Sequence, residues 1–223
     1  MNKCEVYGAG QYVVLLFVLN KFFLKNPYLY RNSYGTLGIG SSGNCRAFTR
    51  ARFSQEDHVA RVGIAQVSSG YSHHLVLLND GTVYGCGSHT SGELANYEIA
   101  TVMKNKSVSD DQYSGAILSK LNVPPCSLVC ALANSSVFVL RDQKTVMTCG
   151  TDSFGQNGNV HAGSDLKQVV FPDEVRPICN LHGGWHHCIL VFGYLKTQSK
   201  FNDKLYKQVL QQKICDTILV FKH

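Results

Sequence analysis

Five residues of types that commonly hold metals, Cys179, His182, His186, His187 and Cys188, fall within ten positions of one another. A structural zinc needs four such groups converging on one tetrahedron. Adjacent side chains on an extended strand point to opposite faces, so His187 and Cys188 do not aim at one ion. No metal ligand is assigned. Gly38, Gly40 and Gly43 satisfy the G-x-G-x-x-G pattern of dinucleotide sites, which has meaning only between a strand and a helix. No helical periodicity follows it, so no cofactor is expected. The Cys126/Cys130 spacing is neither a redox pair nor half of a zinc ribbon. No serine or cysteine sits in a nucleophile elbow or beside a recognisable base, so the catalytic set is empty and the chain is not expected to be an enzyme.

The backbone that carries these residues repeats itself. Residues 68–96, "SSGYSHHLVLLNDGTVYGCGSHTSGELAN", align without a gap on residues 131–159 at an offset of 63, with nine of 29 positions identical. Each copy reads as a strand, a turn, a second strand and a glycine-punctuated corner. "HHLVLL" and "TVYGCG" flank Asn79-Asp80-Gly81, whose Asp-Gly pair suits the positive φ angles of a tight hairpin. A third copy opens at "GGWHHCILVF", where Gly184 falls on Gly70, Trp185 on Tyr71 and His187 on His73; "VYGAGQ" at residues 6–11 is a partial fourth.

The pattern at Gly70, His73, Leu75, Leu77, Asp80, Gly81, Val83, Tyr84, Gly87, Gly92 and Leu94 resembles the repeat of the regulator of chromosome condensation family. "NSYGTLGIG" and "DSFGQNGN" are similar to that family's corner motif. The resemblance implies an all-β chain: a fragment of an RCC1-type β-propeller, whose founding members have seven blades. At roughly 50 to 60 residues per blade, the chain holds about three to four. Gly70, His73, Asp80, Gly81, Gly87, Gly92, Gly150, Gly155, Gly184 and His187 are then read as structural repeat positions.

The repeat region spans residues 1–192. Inside it, "VYGAGQ" joined directly to "NSYGTLGIG" reproduces the repeat, so residues 12–31 read as a 20-residue insertion. Its apolar run, "VVLLFVL", is far short of the roughly 20 residues of a spanning helix, and lysines rather than a cleavage site follow it. The codons available for Gln-Tyr-Val and Tyr-Arg accommodate splice signals, which makes a retained intron the favoured reading of this insertion over a surface loop. Residues 193–223 form a basic tail in which Tyr206, Leu210, Ile214 and Ile218 recur at helical spacing, predicting an amphipathic helix.

The net charge of +6 divides between these two segments, about +4 in the tail and +3 in the insertion. The repeat body is close to neutral, so direct nucleic-acid binding is not expected of it. Nine cysteines at irregular spacing point to a reducing compartment, cytoplasmic or nuclear. The expected function is a non-catalytic protein-interaction module. The resemblance adds two alternatives: guanine-nucleotide exchange on a Ran-type small GTPase, and a truncated fragment without independent function. The implied partners are proteins, with a second copy completing the ring as one option; no membrane span is expected.

Overall fold

The strand "HHLVLL" shows no apolar-polar alternation because it is covered on both faces, and all six residues, the two histidines included, are buried. The structure is a computed structural model describing residues 6–8, 16–17, 32–41, 49–95, 116–158, 163–171, 176–193 and 217–221. Four antiparallel sheets follow one another along the chain. The first combines β1 (Val6–Gly8), β2 (Leu16–Phe17) and β3 (Thr49–Arg50), in the order β2-β1-β3. The helix α1 (Glu56–Val62) leads to the second, made of β4 (Ile64–Ser69), β5 (His73–Leu78), β6 (Val83–Gly87) and β7 (Ser119–Lys120). The third contains β8 (Cys126–Ala131), β9 (Ser135–Leu140), β10 (Val146–Gly150) and β11 (Gly163–Gln168), and the fourth β12 (Ile178–Gly183), β13 (Cys188–Phe192) and β14 (Thr217–Phe221).

Each sheet is a blade that buries its faces on its neighbours. Leu75, Leu77 and Val83 of the second blade meet Val129, Phe138 and Cys149 of the third. Val137, Val139 and Val146, on the other face of that third blade, meet Ile178, Cys188 and Leu190 of the fourth. Val76, Leu78 and Tyr84 pack towards Ala51 and Leu118. A blade of this size has no core of its own, so these interlayers are the hydrophobic core.

The ungapped repeat alignment needs one correction. Ile64↔Leu78 with a bulge before Gln66↔Leu77 reappears as Cys126↔Leu140 with a bulge before Leu128↔Val139, an offset of 62. Cys86 and Cys149, or Gly87 and Gly150, remain 63 apart. The hairpin turn of the third blade is therefore one residue longer. A one-residue slip in a strand would turn its core set to the wrong face, so the extra residue is confined to the turn. There Gln143 takes a φ of 59°. In the corresponding turn of the second blade, Asn79-Asp80-Gly81, only Gly81 has positive φ, at 83°, while Asp80 acts through its side chain, accepting from the Thr82 N–H at 2.9 Å.

Two further differences concern helices. The sequence reading left out α1, although Glu56 and Asp57 in its first turn, Arg61 in its last and Gly63 after it are ordinary helix-end signals. In the tail, residues 194–216 lie outside the described residues, and Thr217–Phe221 is a strand rather than the end of a helix. It pairs with β13 from Cys188↔Phe221 to Phe192↔Thr217. This places it on β13 as β6 lies on β5, because a blade's second strand demands backbone partners on its open edge.

Within residues 12–31, read above as an insertion, Leu16–Phe17 pairs with β1 as Tyr7↔Leu16, the register in which Tyr84↔Val76 joins β6 to β5. On the opposite edge, Tyr7↔Arg50 matches Tyr84↔Lys120.

Candidate protein-interaction surface

Neighbouring blades are joined by polar contacts made one repeat apart. The Gln66 amide bridges the backbone of the next inner strand, donating to the Val129 carbonyl at 2.9 Å and accepting the Val129 N–H at 3.0 Å. Ser68 Oγ accepts the Ala131 N–H at 2.9 Å. His73 Nε2 lies 2.9 Å from Ser136 Oγ. This pairs a potential nucleophile with a potential base, but both residues are fully enclosed, out of reach of any substrate. Burial, with His74 adding to it, holds His73 down to about 3, so its ring stays neutral.

In the first-to-second-strand turns, Gly70 N–H donates to the His73 carbonyl at 2.9 Å, and Gly184 N–H donates to that of His187 at 3.0 Å. Each histidine ring folds over its glycine: a Cβ at Gly70 would stand 2.7 Å from His73, and one at Gly184 would stand 2.3 Å from His187. The equivalent pair in the third blade is Leu132 and Ser135, also joined N–H to carbonyl at 2.8 Å, so the large and small residues exchange places. Gly87 and Gly150 need their freedom for another reason. Both have φ near +100°, and a Cβ would come within 2.4 Å of the Ser72 or Asn134 carbonyl. Asp80 receives hydrogen bonds from Thr82 and pairs with His58 of α1 at 3.0 Å. Burial raises its pKa, but these contacts outweigh it and hold the carboxyl below its ordinary value.

The corners hold a pair that the sequence reading missed. Glu93 accepts from Ser88 Oγ at 3.0 Å and from the Ser91 N–H at 2.9 Å. Gln156, 63 residues later, accepts the Phe154 N–H and donates to the Thr151 carbonyl, both at 2.9 Å. Their shared spacing after Gly92 and Gly155 is the signal that would have found them.

The suspected metal cluster does not converge. Cys188 is buried in the interlayer below the fourth blade, His182 and His187 are exposed, and the Cys179 thiol donates to the Val191 carbonyl at 3.4 Å. Elsewhere in the core, burial disfavours the thiolate, pushing Cys86, Cys126 and Cys149 up to about 12 and Cys130 to about 11. Gly38 and Gly40 lie in the first corner, where Ile39 bridges Ile117; Gly43 is outside the described residues.

What is exposed instead is aromatic. Tyr71, Phe154 and Trp185 are 53%, 47% and 55% accessible. Tyr71 comes from the second blade's turn, Phe154 from the third blade's corner, and Trp185 from the fourth blade's turn. Trp185 stands 5.2 Å from Tyr71 and 6.0 Å from His186, which stacks on Phe154 at 4.0 Å. The result is one strip across three blades. The backbone holds it in place: the Tyr71 N–H donates to Leu132, and the Ala133 N–H to Trp185. Beside it a cleft is lined by Ala133, Asn134, Thr151, Ser153, Phe154, Gln156 and His186.

Comparison with known proteins agrees with this architecture. The model for the regulator of chromosome condensation (RCC1) repeat matches residues 64–93. An RCC1 repeat-containing protein of Schizosaccharomyces pombe is 24% identical over 178 residues, covering 76% of this chain and 45% of the relative. The chain thus spans less than half of that relative's length. Among solved structures, Prp20p of Saccharomyces cerevisiae, described with its binding properties to Gsp1p and histones, superposes with a TM-score of 0.57 at 18% identity. That match covers 82% of this chain and 42% of Prp20p. Human WBSCR16 superposes with a TM-score of 0.53 at 18% identity, covering 73% of this chain and 38% of that one. Residues 64–93 thus carry a match to the RCC1 repeat, and the chain folds as a partial β-propeller similar to these solved structures.

Proposed function

We propose that the chain is a protein-interaction module that works as a non-catalytic adaptor or regulator. One observation carries this reading: the exposed aromatic strip of Tyr71, Trp185, His186 and Phe154, drawn from separate blades to one end of the fold. Aromatic side chains of this kind dominate binding energy at protein interfaces, where their large surfaces are desolvated. His73 and the thiols of Cys86, Cys126, Cys130 and Cys149, by contrast, are buried, and that burial holds them in their neutral forms.

Affinity capture with the full chain and with a Tyr71→Ala/Trp185→Ala double variant tests the reading. At least one protein is expected to be retained by the first and lost by the second; identical capture by both overturns it. Exchange on a Ran-type GTPase, the alternative that the family resemblance implies, is separated by a nucleotide-release assay. An adaptor leaves the release rate unchanged, whereas an exchange factor accelerates it. A chain that expresses soluble but shows no cooperative thermal transition supports instead the reading of a fragment that does not fold alone.

A further inference from the structure

We propose that the strip formed by Phe154, His186, Trp185 and Tyr71 docks an arginine-bearing segment of a partner protein, an inference that rests on the interaction reading above and names the chemistry of the partner. The strip offers ring faces, and a guanidinium is the cation best suited to them. It is planar, weakly hydrated and always charged, so it stacks on Trp and Tyr while keeping its edge donors free.

The charges around the strip favour the same occupant. Among the described residues of the turns and corners at this end, 70–72, 88–95, 132–134, 151–158 and 184–187, there is no lysine or arginine. The acidic residues there are Glu93, which is buried, and Asp152, two positions from Phe154 in the same corner. The opposite hairpin turns carry Arg141, Lys144, Asp80 and Asp142. An approaching cation thus meets no like charge on the described strip, where an acidic segment would meet Asp152. The cleft adds acceptors for the guanidinium edge in Asn134, Ser153 and Thr151.

Trp185 is the chain's single tryptophan, which makes its fluorescence a direct reporter of the strip. The full chain is titrated at about pH 7.5 with a short arginine-glycine peptide. Parallel arms use the same peptide with citrulline for arginine, an aspartate version and a proline-rich neutral one. The expected result is a saturable change with the arginine peptide and binding at least tenfold weaker for citrulline, which keeps the shape but loses the charge. Tyr71→Ala is expected to weaken arginine-peptide binding by about 3- to 30-fold, with an unchanged melting temperature. Equal binding of citrulline, tighter binding of the aspartate or proline peptide, or indifference to Tyr71→Ala each overturns the proposal. If the arginine peptide leaves Trp185 unmoved while the Tyr71→Ala/Trp185→Ala variant still loses a captured protein, this inference falls and the interaction reading stands. If that variant loses nothing, the interaction reading falls as well.

Discussion

His74 is the most exacting residue in the molecule. It sits beside His73 on β5, is 2% exposed, and has no hydrogen-bond partner on either ring nitrogen. Burial lowers its pKa to about 3, as it does that of His73. Both rings bind a proton near pH 6.5 in the unfolded chain and resist it in the folded one, so the unfolded state takes up more protons as pH falls. Stability is therefore complete above about pH 6.5 and drains away between there and pH 3. We expect thermal melts to show this acid limb, and His74→Leu to flatten it. At about pH 5 the variant should be more stable than the parent by on the order of 1 kcal/mol or more, because it removes two unsatisfied buried polar atoms. A variant as acid-sensitive as the parent would show that the limb originates elsewhere.

At the scale of elements, period-two alternation governs what the chain tolerates. The extra residue of the third blade is absorbed by a turn, at Gln143, rather than by β9 or β10, where it would have reversed the buried face. Left-handed backbone at a residue with a side chain carries a strain that glycine relieves. Gln143→Gly should then stabilise the fold by about 0.5–1 kcal/mol and raise the melting temperature by about 1–4 °C. A lower melting temperature would count against strain at this turn. The apolar strands and the Asn-Asp-Gly turn were legible from residue type alone. The register was not, since the 63-residue alignment scored well while misplacing two strands by one position. The helix α1 was legible in its end signals but lay between two repeats, where attention to the strand pattern passed over it.

For the whole molecule, the open question is residues 12–31. Because Leu16–Phe17 takes on β1 the register of a blade's second strand, deleting residues 12–31 should remove that cover. A fall in melting temperature of about 2–8 °C is expected, from roughly 1–2 kcal/mol of lost strand pairing. An unaltered melt would mark the segment as dispensable, as the retained-intron reading requires, and sequencing of the mature transcript tests that reading directly.

By itself, the sequence determined the repeat, its turns and its apolar strands, because turn chemistry and apolar runs are local and recur with the repeat; the propeller class came from that repeat's resemblance to the RCC1 family. Only the tertiary structure decided how the blades lock together. Gln66, Ser68 and His73 find partners a full repeat away, and strand Thr217–Phe221 joins the fourth blade despite a helical pattern before it. The aromatic strip belongs to the same class: Tyr71 and Trp185 are 114 positions apart. They meet because side-by-side blades bring equivalent turns to one end, a distance that no local periodicity records.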